Sequence, residues 1–74
     1  RGNAMREKLK QYYEREYNFT VNSLNKGIYS NNEVIDNAEM RCLGAADFAQ
    51  VLGIPYSYIE EEFNEVKERL EALR

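Results

Sequence analysis

Apolar residues recur at steps of three and four through the first third of the chain: Met5, Leu9, Tyr13, Tyr17, Val21, Leu24 and Ile28. That period places them on one face of a helix, predicted over residues 4–26, with Gly27 as its C-terminal stop. Tyr12 and Phe19, seven apart, widen the face on one side, so it is broad enough to touch two neighbours. Ser30, Asn31 and Asn32 are good N-cap residues, and Glu33 follows Ser30 by three as in a capping box, so a second helix is predicted over 31–52. Its apolar positions are Val34, Ile35, Ala38, Cys42, Ala45, Ala46, Ala49 and Leu52, while Met40, Leu43, Phe48 and Val51 cover much of the remainder. From Ala38 onward this helix is apolar nearly all round, and such a helix belongs at the centre, covered by both other helices or by another chain. Gly44 within it marks either a kink or a point where a neighbouring backbone comes close.

The segment Gly53-Ile54-Pro55 breaks the chain, because glycine admits positive φ and proline disfavours helical geometry at the residue before it. A third helix is predicted over 56–73. Ser57 with Glu60 offers a second capping box, and Glu60, Glu61 and Glu62 are expected in the first turn, where the helix dipole favours negative charge. Ile59, Phe63, Val66, Leu70 and Leu73 are spaced four, three, four, three, a heptad seam too short to stand alone. Linkers of a few residues make successive helices antiparallel. The expected fold is therefore all-α: three antiparallel helices in a small single-domain bundle, completed by dimerisation.

Size sharpens the last point, since 74 residues bury little core. Neither of the usual staples is within reach. Cys42 is alone and histidine is absent, so no disulfide within the chain and no Cys/His zinc site is expected. A lone cysteine, the lack of an apolar run near the roughly 18 residues that span a bilayer, and an N-terminus without a signal-like stretch together point to a reducing cytoplasm. Residues 1–4 precede Met5 and read as left over from cloning, with 5–74 as the domain. The sequon Asn18-Phe19-Thr20 then reads as chance. Eight asparagines, with abundant Lys, Glu, Ile and Tyr, suit an AT-rich bacterial or phage gene.

Charge and side-chain chemistry narrow the function classes. The net charge of −3 is unevenly spread, with five basic and three acidic residues in 1–16 but three basic and six acidic in 57–74. No concentrated basic face for a polyanion is expected. Without histidine, an activated Ser or Cys motif, or a Gly-rich phosphate loop, no catalysis, cofactor, metal or small-molecule substrate is expected. The carboxylate pairs Glu61 with Glu65 and Asp36 with Glu39 read as solvated helix faces, and Cys42 as a small core hydrophobe. Residues 47–59 carry the spacing of a helix-turn-helix corner in Ala49, Gly53, Ile54 and Ile59. A DNA-binding regulator built on it would use Arg6, Lys8, Lys10 and Arg15 on phosphates, yet Glu60 to Glu62 would stand where base contacts are made. The leading expectation is a protein-binding or self-associating module, adaptor or regulator, whose partner is a second copy or another protein. Its interface is expected at Tyr12, Phe19, Met40, Leu43, Val51, Tyr56 and Tyr58, which lie off the main apolar stripes.

Overall fold

The computed structural model describes residues 2–74, with side chains from Ala4 onward. Three helices, α1 (Gly2–Lys26), α2 (Asn31–Val51) and α3 (Tyr56–Glu71), form a small bundle in which each packs against both others. Cross-helix pairs define the directions. Glu16 on α1 meets Arg41 on α2, Arg69 late in α3 meets Glu14, and Tyr58 at the start of α3 reaches the Arg6 carbonyl. Thus α1 and α3 run parallel, with α2 antiparallel to both. Of the residues read as a cloning remnant, Arg1 lies outside the described residues, while α1 already includes Gly2 to Ala4.

The helix starts have different causes. Ser30 begins α2 as expected, with its Oγ accepting from the Glu33 backbone N–H at 3.2 Å. The second capping box does not form. Pro55 is the N-cap of α3, and its carbonyl accepts from the N–H groups of both Tyr58 and Ile59 at 3.1 Å. The helix therefore starts at Tyr56, which puts Ser57 inside the first turn and Glu60 to Glu62 beyond it.

Gly53 terminates α2 through its backbone, with φ +90°. Its N–H donates to the Gln50 carbonyl and the Ile54 N–H donates to the Ala49 carbonyl, both at 3.1 Å, in a Schellman closure. Ile54 then folds back into the core beside Ala49. The whole helix-turn-helix spacing is accounted for by this packing, since Ala49, Ile54 and Ile59 are all buried.

The core runs along the three-way seam, from Leu9 and Tyr13 on α1 through Ile35, Ala38, Cys42, Ala46 and Ala49 on α2 to Ile59, Val66 and Leu70 on α3. The heptad of α3 points inward throughout, with Phe63 and Leu73 half-buried at its edges. Ile28 and Leu52 depart from expectation and are exposed. Each follows a helix end, where the chain turns and helical spacing no longer sets direction. Conversely Thr20 is fully buried, its hydroxyl donating to the Glu16 carbonyl one turn back at 2.8 Å. Gly44 has no neighbour within the chain: a Cβ there would meet nothing within 4 Å, and α2 runs unbroken through it.

Among the described residues three buried side-chain polar atoms lack a hydrogen-bond partner: Arg6 Nε, the Tyr13 hydroxyl and Glu39 Oε2. The Tyr13 hydroxyl is enclosed without a hydrogen bond, and desolvation by burial raises its pKa well above the ordinary range. Removing it relieves a desolvation penalty, so Tyr13→Phe is expected to stabilise the fold by about 1 kcal/mol in urea denaturation.

Candidate protein interface

The outer face of α2 is apolar and uncovered. Met40, Leu43, Phe48 and Val51 are 67%, 44%, 61% and 78% exposed, on a helix whose opposite face forms the core. Helical spacing sets Met40, Gly44, Asp47 and Val51 along its crest, so one carboxylate interrupts the apolar row, with Phe48 on one side and Leu43 on the other. Two grooves flank this crest. Between α1 and α2, Met5, Leu9, Tyr12, Phe48 and Leu52 line a largely apolar groove of about 430 Å³, with Lys8 at its rim. Between α2 and α3, Leu43, Tyr56, Ile59 and Phe63 line one of about 280 Å³, with Asp47 and Glu60 beside them.

Of the seven residues expected at an interface, Met40, Leu43 and Val51 share this face, and Tyr56 joins it across the second groove. Phe19 is exposed farther along α1, with the Arg41 guanidinium 5.6 Å from its ring centre. Tyr12 and Tyr58 are half-buried against the core. Tyr12 lies edge-on to Tyr13, whereas Tyr58 carries Arg6 over its ring at 5.0 Å. Phe48 belongs to the face although its helical position alone did not single it out. Ile28 and Tyr29 form a separate exposed pair at the first turn.

No protein family, curated protein or solved structure matches this chain.

The four basic residues of α1 expected on phosphates, Arg6, Lys8, Lys10 and Arg15, do not share a face. Arg6 and Lys10 turn toward α3, where Lys10 borders a hollow with Glu14, Glu62 and Glu65. Lys8 and Arg15 lie on the other flank with Gln11 and Tyr12. Cys42 is buried, and desolvation pushes its thiol up to about 12, far from a reactive thiolate at neutral pH. Among the described residues no cluster of His, Cys, Asp and Glu is arranged to hold a metal ion, and no helix is long and apolar enough to cross a membrane.

The Asp36 and Glu39 pair, expected as a solvated helix face, instead joins a network in which Glu39 is partly buried, because Arg74 and Glu71 close over it from the end of α3. Arg74 reaches back from the end of α3 to Asn32 at 2.7 Å, to Asp36, to Glu71 at 2.9 Å and to Glu39 at 3.8 Å. Glu39 Oε2 is buried without a donor. Burial first, and then the neighbouring Glu71, push Glu39 up to about 7, while Arg74 holds Glu71 down to about 2. Between pH 4.5 and about 7 the folded protein retains a proton on Glu39 that the unfolded chain releases, so stability falls as pH rises through that window. At lower pH the sign reverses, because ionised Glu71 and Glu14 are favoured only in the folded state. Resistance to urea is expected to peak near pH 5 and decline by pH 8. Glu39→Gln should remove most of the alkaline decline, the rest belonging to Glu62, raised by burial and by Glu65.

Proposed function

We propose that this chain is a non-enzymatic helical binding module, an adaptor or regulator that grips a protein partner with the outer face of α2. The observation that carries the reading is the uncovered row Met40, Leu43, Phe48 and Val51, continuous with the Tyr56 groove. Exposed apolar surface of this kind, rimmed by charge, is characteristic of protein-binding sites. An inert Cys42 and the absence of histidine favour binding over catalysis. The same unpaired cysteine suits a reducing cytoplasm. DNA binding is the weaker reading, because Arg6 and Lys10 face away from Lys8 and Arg15 and the corner at Gly53 is accounted for by core packing.

The test is retention of protein from nuclease-treated lysate on tagged wild type and on Leu43→Glu. Leu43 is half-exposed, so the variant keeps its helix content by circular dichroism. It should bind at least about thirtyfold more weakly, as expected for a charge placed in an apolar contact. Equal retention by both proteins would remove the α2 face from consideration.

A further inference from the structure

The groove between α1 and α2 has a floor and a mouth of different chemistry. Leu9, Ala49 and Ile54 are buried beneath it, with Tyr12, Phe48 and Leu52 standing around them. Its depth comes from α2, which presents only the small side chains of Ala45 and Ala49 between Phe48 and Leu52, so the space beside α1 stays unfilled. At about 430 Å³ it has the size of a small-molecule site. Its borders run from Met5 to Tyr12 on α1 and from Ala45 to Leu52 on α2, two turns of each helix or about 10 Å. That length holds a short chain and is too small to seat a partner protein.

Among the described residues Lys8 is the one charged side chain that lines this groove. Lys8 and Tyr12 also line a neighbouring hollow with Gln11 and Arg15. Among the described residues neither Lys8 nor Arg15 is in an ion pair, and Glu16, one turn beyond Tyr12, is already held by Arg41 at 2.7 Å. An anion at this end therefore meets uncompensated positive charge beside an apolar trough.

We infer that the groove binds a small amphiphile, a single hydrocarbon chain lying over Leu9, Ala45, Ala49 and Ile54 and ending in a carboxylate that Lys8 holds at the mouth. The chain leaves water while the carboxylate and the ammonium stay at the solvated edge, so neither charge is buried. The groove on the other side of α2 carries Asp47 and Glu60 and repels the same head. Such a ligand needs no catalytic group, and its site is independent of a protein partner on the crest of α2.

Calorimetric titration of the full chain with dodecanoate, kept below the concentration at which it forms micelles, tests this, with dodecylamine as the same chain carrying a positive head. The wild type should bind dodecanoate saturably and about tenfold more tightly than dodecylamine, since an exposed pair gained with one head becomes a repulsion with the other. Decanoate, two methylenes shorter, should bind about tenfold more weakly than dodecanoate. Ala45→Leu fills the groove from its floor; it should keep a cooperative thermal transition and weaken dodecanoate by at least about tenfold. Lys8→Glu, on an exposed position, should reverse the order of the two heads. No saturable heat up to millimolar dodecanoate overturns the proposal. So does equal affinity for both heads, or an affinity for dodecanoate that Ala45→Leu leaves unchanged. Binding to phosphatidylglycerol vesicles with none to free dodecanoate would overturn it in favour of a membrane surface.

Discussion

Leu70→Ala is expected to leave most of the protein unfolded at room temperature. Leu70 is fully buried where α3 meets the core, so truncation removes its transfer free energy and leaves a cavity. That costs about 2–5 kcal/mol. A domain of this size holds on the order of 3–5 kcal/mol in total, so one side chain consumes most of the margin. Loss of the cooperative thermal transition by circular dichroism would show it. Leu52→Ala is the internal control: the same chemical change at an exposed position should shift stability by less than about 0.5 kcal/mol. Comparable losses in both would mean that the assignment of inside and outside is wrong.

Gly53→Val is expected to cost about 1–3 kcal/mol, enough to lower the melting temperature by roughly 5–20 °C. The cause is backbone conformation alone. Gly53 sits at φ +90°, a region closed to β-branched residues, yet an added Cβ would meet nothing within 4 Å. Relaxing the backbone to suit valine would break the paired hydrogen bonds that bring Ile54 under Ala49. A melting temperature unchanged within a degree or two would show that this closure contributes little.

These two residues mark what was legible beforehand. Leu70 belongs to a heptad, and helical period alone placed it, with Ile59 and Val66, on the buried side. Gly53 announced itself as a break, and Ser30 with Glu33 as a start. Where one local signal competes with another, the nearer geometry wins: Ser57 has the sequence of a cap, but Pro55 two residues earlier already supplies the carbonyl that opens α3. Ile28 and Leu52 continued an apolar rhythm past the point where the backbone stops obeying it. Thr20 looked polar, and only its bond to the Glu16 carbonyl lets it be buried.

The candidate face was legible in part for a related reason. Helical spacing showed α2 apolar nearly all round from Ala38, to be covered by both other helices or by another chain, and placed Met40, Leu43 and Val51 off its main stripe. Whether an off-stripe tyrosine is free depends on neighbours remote along the chain. Tyr58 meets Arg6 across 52 residues, a pairing no local pattern encodes. The convergence of Asp36, Glu39, Glu71 and Arg74 was hidden in the same way.

The up-down-up order also sets a timescale. Both connections are four residues long, so α2 meets α1 and α3 through hairpins that close over short stretches of chain. Only the α1–α3 contacts demand a long loop, and by then α2 has aligned both partners. Search over conformations is correspondingly brief, and helical bundles of such local topology fold in microseconds to milliseconds. The polypeptide completes its core far faster than a ribosome adds the next residue.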